Sequence, residues 1–80
     1  MRLDKFLKVS RIIKRRTVAK DFAENERVMI NGRMAKPSTE VKKGDVLRIR
    51  VGERETVYEI LDIKENVKAT DAKNLYRILE

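Results

Sequence analysis

Residues 28–35 read VMINGRMA, and this stretch has the pattern of a β-hairpin. A short apolar run over residues 28–30 is followed by Asn31-Gly32. The Asn-Gly pair is the strongest short-range signal for a β-hairpin, because a type I′ turn needs positive φ at both central residues. The spacing therefore predicts a strand over residues 28–30 and a return strand over residues 33–35, which Lys36-Pro37-Ser38 then breaks.

Strand-like segments continue downstream of this hairpin. Residues 46–51 alternate between apolar and basic side chains, so Leu47, Ile49 and Val51 should face inward, and Arg48 and Arg50 should face solvent. The signals that follow predict a turn over residues 41–45, a turn over 52–55 and a strand over 56–63. The tail over residues 69–80 is ambiguous in sequence, since residues 71–75 could form a helical turn and residues 76–79 a strand.

The segment upstream of the hairpin has helical periodicity instead. Leu3, Phe6 and Leu7 fall at i, i+3 and i+4, which predicts a short helix over residues 3–9. The same pattern recurs further along and predicts a second helix from about residue 16 or 17 to about residue 26, with Phe22 in its apolar stripe. We therefore expect an α+β fold in which two to three short N-terminal helices pack on a small, mostly antiparallel sheet. Residues 1–80 should form a single domain.

The net charge of +7 lies entirely in the first twenty residues. That segment holds eight basic residues against one acid, Asp4, whereas the basic and acidic residues of the other sixty balance. Asp4 should orient one of the neighbouring cations or favour the N-terminal end of its own helix. A neutral body with a cationic head is typical of a protein that binds a polyanion.

Several classes of function are disfavoured by what the sequence lacks. It has no Cys and no His, so it has neither thiolate metal ligands nor the usual acid–base residue of catalysis at neutral pH. No Gly-rich phosphate loop and no nucleophile–base arrangement is present. We expect no enzyme activity, no metal and no cofactor. Neither a signal peptide nor a membrane-spanning stretch is evident, so a soluble cytoplasmic protein is expected.

The positions of the aromatic residues indicate which kind of nucleic acid the chain would bind. Tyr58 and Tyr76 are far apart in the sequence and are interpreted as isolated, and Phe6 and Phe22 as core residues. Without a pair of exposed aromatics on a strand, stacking of unpaired bases is disfavoured. Recognition of folded RNA through its phosphates and shape is favoured instead.

The order of these signals resembles the RNA-binding domain first seen in ribosomal protein S4. That family's pattern runs R-L-D-x-x-L, S-R-x-x-A, V-x-V-N-G, P-S and V-x-x-G-D. The matching stretches here, spread over residues 2–51, are Arg2-Leu3-Asp4-Lys5-Phe6-Leu7, Arg16-Thr17-Val18-Ala19, Val28-Met29-Ile30-Asn31-Gly32, Pro37-Ser38 and Val41-Lys42-Lys43-Gly44-Asp45. One departure is Arg15, which stands where the family has Ser before the helix Arg.

This resemblance implies partners that the composition alone does not. Small stand-alone bacterial members of the family act in ribosome-associated quality control, and the chain is more distantly similar to the fifteen-kilodalton heat-shock proteins. The likeness implies structured RNA as the ligand, namely large-subunit rRNA and peptidyl-tRNA on a large ribosomal subunit. It also implies support for untemplated C-terminal tailing of a stalled chain by a partner factor. A monomer without membrane association is expected.

The predicted phosphate contacts come from the basic N-terminal segment and from the hairpin that follows it. They are Arg2, Lys5, Lys8, Lys14, Arg15, Arg16, Lys20, Arg33 and Lys36. Arg16 is the first to test, because its planar guanidinium can hold two phosphate oxygens at once.

Three other interpretations of the cationic head remain open. It could bind an acidic protein surface, in which case binding would survive nuclease treatment. It could anchor the first helix on an anionic membrane, although three large apolar residues and no Trp are few for insertion. Double-stranded DNA is a weaker alternative, because no single long recognition helix is evident.

Overall fold

The computed structural model describes residues 1–13, 27–51 and 53–79. The helix predicted from residue 16 or 17 to about residue 26 lies outside these ranges, together with Phe22. The described part contains one α-helix, α1 (Leu3–Val9), which agrees with the helix predicted over residues 3–9. The predicted total of two to three helices is therefore not tested.

In the described part of the chain, five strands form one sheet in which all neighbours are antiparallel. The predicted α+β class and the antiparallel sheet are both confirmed. The strands are β1 (Val28–Ile30), β2 (Arg33–Met34), β3 (Val46–Val51), β4 (Arg54–Ile60) and β5 (Tyr76–Ile78), and a 3₁₀ helix (Ala72–Leu75) precedes β5. Their order across the sheet is β2-β1-β3-β4-β5.

The turn between β1 and β2 has the predicted conformation. Asn31 and Gly32 have φ values of 51° and 83°, so both central residues are in the left-handed region that a type I′ turn requires. The return strand ends one residue earlier than predicted, at Met34. Ala35 still donates its N–H to the carbonyl of Val28, at 3.0 Å.

The boundaries of β4 differ from the prediction at both ends. Residues 54 and 55 belong to the strand and not to the turn, because Val51 pairs with Arg54 and Arg50 pairs with Glu55. A charged residue on the solvent face of a strand is compatible with the ladder, and Glu55 forms an ion pair with Arg48 there. The strand ends at Ile60 and not at Ile63.

The core lies between α1 and one face of the sheet, here called the inner face. Leu3, Phe6 and Leu7 of the helix are fully buried against the sheet residues of the core. Burial of a side chain of this size stabilises the fold by about 1.5–3 kcal/mol. Leu47 and Ile49 point into this core and Arg48 and Arg50 are exposed, as the alternation predicted.

Candidate nucleic-acid interface

The start of α1 is closed by backbone from a distant turn. Leu3 donates its N–H to the carbonyl of Thr39 at 2.8 Å, and Asp4 donates its N–H to the carbonyl of Pro37 at 3.2 Å. The N–H of Lys5 donates to Oδ1 of Asp4 at 2.8 Å. Because these first N–H groups already have acceptors, an incoming phosphate at this end of α1 would meet side chains and not free amides.

Asp4 holds Arg2 in place, as one of the two roles predicted for it. Its side chain is almost completely buried, and Oδ2 accepts from Nη2 of Arg2 at 3.2 Å. Half of the Arg2 side chain is exposed. The arginine is thus anchored on its protein side and open on the other, which suits a group that must contact a ligand without reorganising.

Lys5 and Lys8 share a groove beside α1, here called the helix groove. It has a volume of about 250 Å³ and is lined by Lys5, Lys8, Val9, Arg11, Glu65, Asn66 and Val67. Nζ of Lys5 forms an ion pair with Oε2 of Glu65 across the groove. The hydrogen bond from Lys5, followed by its positive charge, lowers the pKa of the Glu65 carboxyl group.

Arg11 is a third cation of the helix groove, and the sequence-based list of contacts omitted it. It follows the last turn of α1 with a φ of 60°, and its N–H donates to the carbonyl of Lys8 at 3.0 Å. The left-handed conformation at this position usually selects Gly or Asn, so an arginine here is unusual. The spacing of Lys5, Lys8 and Arg11 at every third residue is the signal that could have identified it.

The hairpin carries a second groove, which has mixed charge. Arg33 and Lys42 line it together with two acids, Glu40 and Asp45. Arg33 is therefore exposed near the hairpin but lies in a different groove from Lys5 and Lys8. The Glu40 carboxyl group accepts a hydrogen bond from the N-terminal ammonium at 3.0 Å, and this bond lowers its pKa.

Lys36 is placed next to the start of α1 by the turn that closes the helix. It is exposed, and its backbone N–H donates to Oγ1 of Thr39 at 2.8 Å. The same turn supplies the carbonyls that cap α1, so Lys36 and Arg2 flank one end of the helix. Four predicted contacts fall outside the described residues, namely Lys14, Arg15, Arg16 and Lys20.

The interpretation of Tyr58 and Tyr76 as isolated is wrong. Their rings meet edge to face with centroids 5.4 Å apart, because Tyr58 and Tyr76 project from the neighbouring strands β4 and β5. Partial burial and the neighbouring Tyr76 raise the pKa of Tyr58. Tyr58 packs against the inner-face core, and its ring contact with Tyr76 joins β4 to β5.

Among the residues that the structure describes, no helix is long and apolar enough to span a bilayer. The apolar stripe of α1 is buried in the core, and the cationic side chains lie on the exposed part of α1 and near the hairpin.

A comparison with known protein families matches the part of the chain that contains α1 and the hairpin. The S4 domain family model matches residues 1–47, which include α1, the hairpin and the turn before β3. The chain belongs to the S4 domain family. The match ends as β3 begins, so the helix groove combines cations from the S4 domain with Glu65 and Asn66 from the segment that follows it.

Relatives extend the similarity over the whole chain. It is 50% identical over 80 residues to the RQC P-site tRNA stabilizing factor of Bacillus subtilis (strain 168), covering 100% of this chain and 93% of the relative. Identity is 49% over 79 residues to the Streptococcus pneumoniae protein of the same name, covering 99% of this chain and 90% of the relative. The chain belongs with these factors within the S4 domain family.

A solved structure shares the fold as well. The structure of Vibrio cholerae Heat Shock Protein 15, described as trimeric, superposes with a TM-score of 0.88 at 37% identity. The superposition covers 98% of this chain and 80% of that one. The more distant likeness to heat-shock proteins that the sequence suggested is thereby confirmed.

Proposed function

We propose that the chain is a non-catalytic RNA-binding protein that binds rRNA and tRNA on the large ribosomal subunit. In this role it supports the rescue of stalled nascent chains, including their C-terminal tailing by a partner factor. The observation that carries the proposal is the helix groove, where Lys5, Lys8 and Arg11 meet beside an α1 whose backbone N–H groups are already bonded. The name of the relatives, P-site tRNA stabilizing factors, supports tRNA as one ligand.

The mechanism is neutralisation of phosphates by side chains that the fold has already oriented. Asp4 fixes Arg2, and α1 holds Lys5 and Lys8 one turn apart. Contacts of this kind position an RNA backbone without reading its sequence. A small protein that contacts rRNA and tRNA at once would hold the tRNA in place, and no reacting group is required for that task.

The proposal also covers location and oligomeric state. A factor that works on ribosomal subunits acts in the cytoplasm. We propose that it binds as a monomer of 9.4 kDa, although the related heat-shock protein structure is described as trimeric. Light scattering on the purified protein distinguishes the two states.

A ribosome gradient tests the role directly. Cells in which translation is stalled should show the protein with free large subunits that carry tRNA, and unstressed cells should show less of it there. A position at the top of the gradient under both conditions would contradict the proposal. Retention of the protein by an acidic protein after nuclease treatment would favour the adaptor interpretation instead.

Substitution of Arg16 tests the predicted contact residues. Arg16→Ala should weaken binding to tRNA-bearing large subunits about tenfold or more, because a hydrogen bond to a charged group contributes about 1.5–3 kcal/mol. The matched control is Arg54→Ala, which removes the same charge from an exposed position at the start of β4. Equal affinity of the Arg16 variant and the parent would show that the contact site is elsewhere.

A further inference from the structure

Lys5 and Glu65 connect two parts of the chain that are distant in sequence. They are separated by 60 residues and form an ion pair across the helix groove. The side chains are 39% and 68% exposed, so both groups are accessible to solvent. The pair is therefore open to competition from an anion in solution.

The charges that line the helix groove are unequal. Three cations face one carboxylate, and Asn66 adds a neutral polar side chain. Within the described part of the chain, Lys8 and Arg11 form no ion pair. The groove retains a positive excess that a phosphate diester could neutralise.

We propose that the helix groove is a subsite for an RNA backbone phosphate and that Glu65 occupies it in the free protein as an internal competitor. On binding, a phosphate oxygen replaces the Glu65 carboxylate at Nζ of Lys5 and gains the positive charge of Lys8 and Arg11. The inference rests on the proposed RNA-binding function. It assigns Glu65, a residue outside the matched S4 domain, a role in setting affinity.

Displacement of Glu65 is physically feasible because the ion pair is weak. Exposed pairs of this kind contribute little to stability, since solvent screens the attraction and two long side chains must be held still. A phosphate interacts with several cations at once, whereas the carboxylate bonds to Lys5. The cost of separating Lys5 from Glu65 is nevertheless part of every binding event, so Glu65 reduces affinity for RNA.

The test compares Glu65→Gln with the parent for binding to purified large ribosomal subunits that carry P-site tRNA. The glutamine keeps the size of the side chain and removes its charge, so affinity should rise about two- to fivefold. Glu55→Gln is the matched control, because it also releases an arginine from an exposed ion pair, on the opposite face of the sheet. That control should change affinity less than the Glu65 variant.

A double-mutant cycle with Lys5→Gln identifies the mechanism. If Glu65 acts by occupying Lys5, the gain from Glu65→Gln should largely disappear when Lys5 is also replaced. A gain that persists in the Lys5→Gln background would contradict competition for Lys5. Equal gains from Glu65→Gln and Glu55→Gln would show an effect of net charge alone and would also overturn the proposal.

The outcomes separate this proposal from the function on which it rests. If the parent does not bind the subunits, RNA binding and the competitor role both fail. If the parent binds and loses affinity as salt rises, but Glu65→Gln binds no better than Glu55→Gln, only the competitor role fails. Thermal melting of each variant checks that the fold is retained.

Discussion

At the scale of single residues, Asn31 connects the hairpin to the strand beside it. Its Nδ2 donates to Oδ1 of Asp45 at 3.1 Å, and its Oδ1 accepts from the N–H of Val46 at 3.0 Å. The other oxygen of Asp45 accepts from the N–H of Lys42 at 2.8 Å. The side chains of Asn31 and Asp45 thus hold the turn before β3 against the turn after β1. These hydrogen bonds connect the Asn31-Gly32 motif with the Gly44-Asp45 motif.

Replacement of Asn31 should destabilise the fold for two separable reasons. Asn31→Ala loses both side-chain hydrogen bonds and also places an alanine at a φ of 51°. We expect a loss of about 1–3 kcal/mol in the free energy of unfolding. Asn31→Gly keeps the turn conformation but loses the bonds, so it should be destabilised less. Urea denaturation measures both, and wild-type stability of the alanine variant would contradict this role of Asn31.

At the scale of secondary-structure elements, α1 depends on the turn over residues 36–40 for its start. Arg2 stands at the N-cap position and makes no side-chain cap, and the capping carbonyls come from Pro37 and Thr39. A helix of seven residues is too short to be stable alone. Its stability therefore comes from the core below it and from this turn.

The ion pair between the N-terminal ammonium and Glu40 should make this contact sensitive to acid. The pKa of Glu40 is lowered in the folded state, so the contribution is fully present above about pH 4.3, the ordinary pKa of glutamate. It is lost as the pH falls through the lowered pKa, because protonation then removes the charge. The stability difference between the parent and Glu40→Gln, measured by urea denaturation from pH 6 to pH 3, should shrink in that range. A constant difference would contradict the assignment.

Local signals in the sequence predicted the elements well, and long-range contacts escaped prediction. Turn chemistry identified Asn31-Gly32, and apolar spacing identified the helix over residues 3–9, because both signals act within a few residues. The start of β4 at Arg54 was missed, since charged residues on an exposed strand face look like a turn in the sequence. The Tyr58–Tyr76 pair forms only when β5 pairs with β4. The Lys5–Glu65 pair forms only when the segment after β4 packs beside α1.

The candidate site was also predictable only as far as local sequence signals specify it. The concentration of basic residues near the N-terminus identified the region, and it predicted Lys5 and Lys8, which share the helix groove. Nothing in the amino-acid sequence indicates that Arg33 lines a different groove with Glu40 and Asp45. That separation depends on how the hairpin is placed relative to α1, which no local pattern specifies.

At the scale of the whole molecule, charge is segregated along the chain. The first twenty residues carry the entire net charge of +7, while the rest is balanced. Several acids of the balanced part are paired locally, as Glu55 is with Arg48 and Glu59 is with Arg77. The positive electrostatic potential of the protein therefore comes mainly from its N-terminal segment. Such a potential attracts a polyanion and favours fast association with it.

The most direct test of RNA binding through phosphate contacts is the salt dependence of affinity for tRNA-bearing large ribosomal subunits. Neutralisation of roughly four to six phosphates releases the counterions bound to them, so log K should fall with log salt at a slope of about −3 to −5. The dissociation constant measured across a series of KCl concentrations gives this slope. A slope in that range is the result we expect, and an affinity that does not change with salt would contradict the account.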